Sequence, residues 1–221
     1  MKSFCVIGLG RFGLALAEML AQARREVLII DNDEKKVEAI ADMVDTAIIG
    51  DCTDEAVLRT SGAADYDCCI ICIAENINDS VLTAILLKEQ GAKLVIARAA
   101  DERHARVLEK VGVDRVVLPE SDIGRRLGRQ ISYDGVQQYM EFSEDTTIVE
   151  IEVPQRWIGK TLIELDLRKR LNINVILHKK KNERKKGNSV DPQEKFASGD
   201  LVTVIGENKH ITHLLDHLCQ S

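Results

Sequence analysis

Gly8-Leu9-Gly10-Arg11-Phe12-Gly13 directly follows the short apolar run from Phe4 to Ile7 and opens an amphipathic stretch. A G-x-G-x-x-G pattern carries structural meaning in this strand-turn-helix context. The first glycine allows a tight turn, the second lets an anion approach the backbone, and the third lets the helix pack closely on the strand. N–H groups at the start of the helix then face the anion. The motif therefore predicts a phosphate site at the end of the first strand.

Around this motif, short β-branched runs alternate with amphipathic stretches as far as residue 118. The predicted strands are Phe4 to Ile7, Val27 to Ile30, Thr46 to Ile49, Cys68 to Ile73, Leu94 to Ala97 and Arg115 to Leu118. Most are apolar throughout, as is typical of parallel strands that are covered on both faces. Right-handed crossovers then give an α/β fold with a doubly wound parallel sheet, the Rossmann arrangement.

Asp31 ends the second predicted strand, 18 residues after Gly13. An acidic side chain at this point accepts hydrogen bonds from both hydroxyls of an adenosine ribose. The same carboxylate repels a 2′-phosphate, so the sequence favours NAD, ATP or ADP over NADP. With the glycine motif, Asp31 predicts an adenine-nucleotide site.

Ligands of a doubly wound sheet bind at the carboxyl ends of its strands. By this rule, the residues that border the adenine and ribose are Asp51, Cys52, Ile73, Ala74 and Glu75. Arg98 ends the fifth strand on the same edge, where it faces either the ligand or a surface ion pair with Asp101 or Glu102. Glu120 follows the sixth strand and fits equally well in the first turn of a helix, where the dipole favours a carboxylate.

A predicted helix from about Asp122 to Ile131 precedes the break Ser132-Tyr133-Asp134-Gly135. We place the domain boundary there, which gives a nucleotide-binding domain at 1–133 and a smaller domain at 134–221. In the latter, strands are predicted at Ile148 to Val153, Val175 to Leu177 and Leu201 to Ile205, with helical stretches at Leu162 to Arg170 and Lys209 to Leu218. This order predicts a small α+β domain.

Composition excludes several classes of protein. The net charge of -6 argues against a protein whose main task is binding nucleic acid, and no stretch resembles a helix-turn-helix. No apolar run reaches the roughly 18 to 20 residues that cross a bilayer, so we expect a cytosolic protein. Six of the eight residues from Lys179 to Lys186 are Lys or Arg, and we expect a solvated hairpin tip.

Four of the six cysteines, which lie inside strand-like apolar runs, are expected to be reduced core residues: Cys5, Cys68, Cys69 and Cys72. Cys69 and Cys72 form a C-x-x-C, but on a strand their side chains point to opposite faces, and no second pair supplies further metal ligands. We therefore expect neither a zinc site nor a redox pair at this position.

The glycine motif, Asp31, Ala74-Glu75-Asn76-Ile77-Asn78 and the stretch from Val107 to Glu120 together resemble the cytosolic regulatory subunits of Ktr/Trk-type potassium transporters. Within that last stretch, the pattern L-E-K-x-G-x-D-R-x-x-x-P-E is specific to the family. The second domain resembles the C-terminal half of an RCK (regulator of conductance of potassium) protein. The resemblance covers nearly the whole chain.

This resemblance implies a regulator, not an enzyme, that binds ATP or ADP, with NAD(H) as the alternative. It implies homodimers arranged in an octameric ring, which lies in the cytoplasm and docks on a membrane potassium-translocating subunit. The implied nucleotide-site residues are Gly8, Gly10, Arg11, Phe12, Gly13, Asp31, Asn32, Asp33, Asp51, Cys52, Ile73, Ala74, Glu75, Arg98, Ala99, Ala100, His104 and Glu120. Arg11 would reach the terminal phosphate, and Glu120 would bind a cation such as Mg, Ca or Na.

A second ligand site is implied by Ile163-Glu164-Leu165-Asp166-Leu167-Arg168, which resembles the stretch that binds cyclic di-AMP in some Ktr proteins. Ile163, Asp166 and Arg168 are the residues concerned. An ordinary amphipathic helix is the alternative interpretation of this stretch.

An NAD-dependent redox sensor or small dehydrogenase would use the same glycine motif. A dehydrogenase also needs an acid or base beside the nicotinamide, and only 88 residues follow Tyr133. His178 adjoins the lysine run and is a poor catalytic candidate. A transporter regulator therefore ranks above an enzyme, and a DNA-binding sensor ranks third.

Overall fold

The first unit of the protein is built on the apolar runs of its N-terminal half. The computed structural model describes residues 2–73, 76–181 and 190–216, and the chain divides into two compact units, Met1–Pro119 and Glu120–Ser221. In the first unit the strands are β1 (Ser3–Ile7), β2 (Glu26–Asp31), β3 (Thr46–Ile49), β4 (Cys68–Ile71), β5 (Val95–Arg98) and β6 (Arg115–Val117). All six predicted strands are present, with ends that differ from the prediction by two residues or fewer.

These strands form one parallel sheet in the order β3-β2-β1-β4-β5-β6. The helices between them are α1 (Arg11–Gln22), α2 (Glu34–Glu38), α3 (Glu55–Ser61), α4 (Ile77–Glu89) and α5 (Glu102–Lys110). Leu28 and Ile30 of β2 belong to the core on one face, while Val27 and Ile29 belong to the core on the other. Burial on both faces explains why the strand is apolar throughout, and the predicted doubly wound sheet is confirmed.

The strand order reverses between β1 and β4. The chain runs outward from β1 to β2 and β3, then returns to place β4 on the other side of β1. The loops that follow β1 and β4 leave the sheet on opposite faces and open a crevice at its carboxyl edge. This topology, and not any single side chain, fixes where a ligand can bind.

The second unit is a four-stranded antiparallel sheet with helices, as the α+β prediction requires. Its strands are β7 (Val136–Glu141), β8 (Thr146–Glu152), β9 (Ile173–Lys179) and β10 (Leu201–Glu207), in the order β7-β8-β10-β9. Its helices are α6 (Pro119–Ile131), α7 (Leu162–Leu165), α8 (Leu167–Leu171) and α9 (Asn208–Asp216). Val149, Val204, Trp157 and Leu214 lie in its buried core.

Two features of this unit differ from the prediction. The prediction missed β7, because much of this edge strand is exposed and it carries Gln137 and Gln138 where an apolar run was sought. The helix predicted from Leu162 to Arg170 is two short helices, because Asp166 adopts a left-handed conformation with φ of 44°. Part of the predicted last helix, from residue 217 on, lies outside the described residues.

The division between the units falls after Pro119, the first residue of α6, so nearly all of this helix belongs to the second unit. The sequence-based boundary at residue 133 would assign α6 to the first domain, and that boundary stays a prediction. Of the basic run, only Lys179 to Lys181 lie within the described residues. Lys179 ends β9 and forms an ion pair with Glu150. Among the described helices, none is both long enough and apolar enough to cross a membrane.

A candidate nucleotide site at the carboxyl edge of the sheet

A cavity of about 240 Å³ opens at the carboxyl ends of the central strands of the first unit. Its lining comprises Gly8, Gly10, Ile30, Asp31, Asn32, Lys36, Gly50, Asp51, Cys52, Cys72, Ile73, Asn76, Asp79 and Arg98. These residues lie at or after the carboxyl ends of β1, β2, β3, β4 and β5, so the crevice at the topological switch contains the candidate site.

The three motif glycines meet different surroundings. Gly8 has φ of 94°, and a Cβ there would lie 2.9 Å from Cγ1 of Ile73. A Cβ on Gly13 would lie 1.9 Å from the carbonyl oxygen of Gly8, so this glycine permits α1 to pack against the turn. A Cβ on Gly10 would meet no atom within 4 Å. Gly10 thus borders open space, where a ligand can approach the backbone.

The start of α1 lacks the side-chain caps of its neighbours. Asp33, Asp54, Asn76 and Asp101 each accept backbone N–H hydrogen bonds at the starts of α2, α3, α4 and α5, and each of those helices carries an acidic residue in its first turn. At α1 the capping position is Gly10, no side chain caps the helix, and its first turn has no acidic residue. The positive end of this helix dipole is therefore available to an external anion.

Asp31 is buried at the end of β2, with 9% of its surface exposed. Its Oδ2 accepts a hydrogen bond from the N–H of Leu9 at 2.5 Å, and its Oδ1 accepts one from the N–H of Asp33 at 2.8 Å. A carboxylate oxygen accepts more than one hydrogen bond, so capacity remains for ribose hydroxyls. The backbone donors hold the carboxylate in place at the wall of the cavity.

Asp51, which follows the neighbouring strand β3, also lines the cavity and accepts hydrogen bonds from the hydroxyl of Thr53 at 2.7 Å and from its N–H at 2.9 Å. These two bonds lower the pKa of Asp51, so the carboxyl group is ionised at neutral pH. One carboxylate oxygen is engaged by Thr53, and the other is available to an amino group such as that of adenine.

Eight of the predicted site residues line the cavity: Gly8, Gly10, Asp31, Asn32, Asp51, Cys52, Ile73 and Arg98. Gly13, Phe12 and Ala99 do not line it, since Gly13 packs on the turn, Phe12 packs against the core and Ala99 is fully buried. Arg11 and Ala100 are exposed, and Asp33 caps α2. Ala74 and Glu75 lie outside the described residues.

The region after β5 is organised around a helix cap. Asp101 accepts hydrogen bonds from the N–H groups of Arg103 and His104 at 2.9 and 2.8 Å. His104 is 1% exposed, and its Nδ1 accepts the N–H of Ala100 at 3.1 Å. Burial lowers the pKa of His104, so its ring is neutral at neutral pH. His104 thus shapes the loop that follows Arg98.

Sequence reasoning missed four polar or thiol residues that line the cavity: Lys36, Cys72, Asn76 and Asp79. Lys36 lies on the exposed side of α2, with its Nζ 3.8 Å from Oδ2 of Asp33. Asn76 and Asp79 belong to the start of α4, directly after the strand end that was predicted to border the adenine. The rule that ligands bind at the carboxyl ends of strands identified this segment, but it does not specify which residues of the following helix turn line the cavity.

The thiols near the cavity are weakly acidic. Burial raises the pKa of Cys69 and of Cys72 to about 12, and it raises the pKa of the half-buried Cys52 as well. Cys69 and Cys72 pack in the cores on opposite faces of the sheet, as predicted for alternate sides of the strand. Among the described residues, no group of three His, Cys, Asp or Glu side chains is placed to hold a metal ion.

The remaining predicted site residues belong to the second unit. Glu120 is exposed in the first turn of α6, where a carboxylate is favoured by the helix dipole. Ile163 is 62% exposed, Asp166 lies 3.8 Å from the Nζ of Lys169, and Arg168 is exposed on α8.

Two protein families match the chain in sequence. The TrkA-N domain matches residues 4–119 and the TrkA-C domain matches residues 147–218. Ktr system potassium uptake protein C of Bacillus subtilis (strain 168) is 41% identical over 182 residues, which are 82% of each chain. This chain belongs to the Ktr potassium uptake family. Ktr system potassium uptake protein A of Vibrio alginolyticus is 35% identical to this Ktr-family chain over 217 residues, 98% of each.

Solved structures share the fold of this Ktr-family chain. The GsuK RCK domain matches with a TM-score of 0.68 at 16% identity, over 97% of this chain and 47% of that one. The GsuK channel bound to NAD matches with a TM-score of 0.68 at 17% identity, over 96% of this chain and 38% of that one. The chain thus spans less than half of these structures, and it has the RCK fold that the sequence resemblance implied.

Proposed function

We propose that this chain is the cytosolic regulatory subunit of a potassium uptake system, and that it gates a membrane potassium-translocating subunit in response to bound ATP or ADP. One observation carries the nucleotide part of the proposal. The uncapped start of α1 borders the open space at Gly10 in the cavity that Asp31 also lines. An anion-binding helix end and a ribose-binding carboxylate in one cavity match the two ends of an adenosine phosphate.

Related structures support an adenosine-containing ligand. They include GsuK bound to NAD, GsuK bound to ADP, and the Kef C-terminal domain of Shewanella denitrificans in an AMP-bound form. These three ligands share adenosine and a first phosphate. Asp31 and Asp51 would serve the adenosine that all of these ligands carry. ATP and ADP are our first choice because the family resemblance implies them, and NAD(H) is the alternative.

In the proposed mechanism, exchange of ADP for ATP adds a phosphate near the exposed Arg11, which contacts it from the same or a neighbouring subunit of an octameric ring. A charge-assisted contact across subunits then favours one ring shape over another. For useful regulation, ATP and ADP must differ by about 1 to 3 kcal/mol in how strongly each favours one ring shape over the other. One charged hydrogen bond is of this size.

Several finer assignments belong to the same proposal. Glu120 contributes to a Mg, Ca or Na site whose other ligands are nucleotide oxygens. Ile163, Asp166 and Arg168 contact cyclic di-AMP between two subunits. The ring lies at the cytoplasmic face of the membrane through its partner and does not act as an enzyme, in keeping with the potassium uptake names of its relatives.

Calorimetric titration of the full chain with ATP, ADP, NADH and cyclic di-AMP tests the ligand, and light scattering tests the assembly. Tight binding of ATP and ADP by an octamer is the expected result. Exclusive binding of NADH by a dimer would replace this proposal with an NAD-dependent redox sensor or a small dehydrogenase. Reconstitution with a membrane potassium-translocating subunit then tests whether ATP and ADP change potassium flux in opposite directions.

A further inference from the structure

The second unit contains a cleft of about 180 Å³ beside the only tryptophan of the chain. We call it the Trp157 cleft, and its defining residues are Arg156, Trp157, Lys160, Leu165, Arg170 and Leu214. It is separate from Ile163, Asp166 and Arg168, none of which lines it.

The floor of the Trp157 cleft is apolar. Trp157 is 2% exposed, Leu165 is 4% exposed and Leu214 is fully buried, so the cleft exposes only small parts of large hydrophobic side chains. Its volume is smaller than the roughly 300 to 1,000 Å³ of sites for drug-sized ligands. The small size and the apolar floor of the cleft together fit a short apolar group.

The rim of the Trp157 cleft is cationic. Arg156, Lys160 and Arg170 are exposed, and within the described part of the chain none of the three forms an ion pair closer than 4 Å, although Lys160 interacts electrostatically with the carboxylate of Glu164. This arrangement is unusual in a chain whose 36 acidic residues outnumber its 30 Lys and Arg residues. Other lysines of the same unit are paired, as Lys169 is with Asp166 and Lys179 with Glu150. Three cations that lie around one cleft and form no close ion pair among the described residues favour an anionic ligand.

The segment that carries Arg156 and Lys160 is held in place. The N–H of Gly159 donates to the carbonyl of Phe196 at 2.8 Å, and the N–H of Phe196 donates to the carbonyl of Lys160 at 3.0 Å. The rings of Trp157 and Phe196 pack with centroids 6.2 Å apart. Because these contacts lie within the protein itself, binding costs little ordering of this segment.

Arg170 is also placed by the backbone. It belongs to α8, a short helix bounded by Asp166 and Asn172, which have φ of 44° and 53°. Left-handed conformations at residues other than glycine carry strain that the surrounding structure must support. These two turns fix the direction of α8, which carries Arg170 at the rim of the cleft.

We propose that the Trp157 cleft binds a small amphipathic anion, whose carboxylate or phosphate group contacts Arg156, Lys160 and Arg170 and whose short apolar group packs on Trp157, Leu165 and the half-buried Leu171, which also lines the cleft. Arginine pairs bind such head groups through several charge-assisted hydrogen bonds. The apolar floor supplies the affinity that a free inorganic anion would lack.

Tryptophan fluorescence of the full chain tests this proposal, because the single indole of the chain lies in the floor of the Trp157 cleft. The probes are hexyl phosphate and hexanoate, with 1-hexanol and inorganic phosphate as partial ligands, and calorimetry serves as a second readout. We expect hexyl phosphate or hexanoate to change the emission saturably and to bind at least about tenfold more tightly than either partial ligand.

The variant Arg156→Gln/Arg170→Gln should weaken that binding by about tenfold or more, since two charge-assisted contacts are lost. Its control is Lys169→Gln/Lys195→Gln, which removes the same charge from exposed sites of the same unit outside the cleft. The control should bind as the unmodified chain does, and thermal unfolding should show both variants folded. The proposal would be overturned if neither readout showed saturable binding, or if 1-hexanol or phosphate bound as tightly as hexyl phosphate and hexanoate. Unchanged binding in Arg156→Gln/Arg170→Gln would overturn it as well.

Discussion

Asp31 accepts a hydrogen bond from the backbone N–H of Leu9, a residue that lies 22 positions earlier in the chain. Leu9 is the middle residue of the Gly8-Leu9-Gly10 turn, and Asp31 is the last residue of β2. The bond joins the loop after β1 to the end of the neighbouring strand. The residue proposed to bind the ribose therefore also holds the turn proposed to bind the phosphates.

Asp31→Asn tests this double role. An amide keeps one acceptor for the two N–H donors, so we expect the free energy of unfolding to fall by about 1 to 3 kcal/mol. Loss of the charge should also weaken ATP and ADP binding by about tenfold or more. Urea unfolding and calorimetry measure the two effects. Asp42→Asn, at an exposed site outside the cavity, should change neither. Normal nucleotide binding by Asp31→Asn would limit the carboxylate to holding the turn.

Gly10 and Gly13 should respond differently to the same substitution. Gly13→Ala places a Cβ against the carbonyl of Gly8, and we expect a loss of about 1 to 3 kcal/mol in stability from this overpacking. Gly10→Ala places its Cβ in open space, so the fold should be nearly unchanged while nucleotide affinity falls. Thermal unfolding and calorimetry on both variants distinguish the effects. Equal nucleotide affinity in Gly10→Ala and the unmodified chain would contradict a phosphate site at this glycine.

Arg11→Ala should leave adenosine binding largely intact but abolish the difference between ATP and ADP. The side chain is exposed and lies outside the lining of the cavity, so its removal should cost little stability. We expect the ratio of ATP to ADP affinity to move toward one, and potassium flux in a reconstituted system to stop distinguishing them. Arg24→Ala is an exposed control elsewhere in the first unit. A flux response that still separates ATP from ADP in Arg11→Ala would contradict the mechanism.

Cys52 should be the thiol whose reactivity reports nucleotide binding. Cys219 lies outside the described residues, so the measurement uses Cys219→Ser, in which five of the six cysteines remain. With a pKa of about 12, Cys69 and Cys72 are thiolate in only about one molecule in 10,000 at pH 8. We expect Ellman's reagent to modify half-buried Cys52 slowly, faster as pH rises, and saturating ATP to slow it further. Modification unaffected by ATP would argue against a ligand beside Cys52.

Asp200 should make the second unit sensitive to acid. Burial opposes ionisation, but hydrogen bonds from His178 and from the N–H groups of Ala197 and Lys181 outweigh it and lower the pKa of Asp200. A depressed pKa adds stability above the unfolded value of about 3.9, and this stability is lost as pH falls through the folded value. We expect Asp200→Asn to be less stable at pH 7 by about 1 to 3 kcal/mol, with a difference that narrows below about pH 4.

Urea unfolding at pH 7, 5 and 3.5 measures this difference. Asp42→Asn again serves as the control, since that carboxyl group is exposed. The stability difference between Asp200→Asn and the unmodified chain could instead stay constant across these pH values. That result would show that the hydrogen-bond geometry, and not the charge of Asp200, stabilises the unit.

The sequence by itself determined the parallel sheet and the position of its ligand crevice. Buried parallel strands are continuous apolar runs, and the turn after β1 must be glycine-rich because Gly8 and Gly13 have no room for a Cβ. Both signals are local, so they can be read without knowing what the segments contact. Asp31 could be identified in the same way, because an acidic residue at the end of an apolar run is visible in the sequence.

Only the tertiary structure decided the contacts between distant segments. It joined His178 to Asp200 at 2.9 Å in a buried pair, and it gathered Arg156, Lys160 and Arg170 around one cleft from separate turns. It also divided the predicted helix at Asp166, where the backbone and not the apolar pattern ends α7. The local pattern of apolar and polar residues does not encode these contacts. They depend on how whole helices and strands pack and on which polar groups find partners when they are buried.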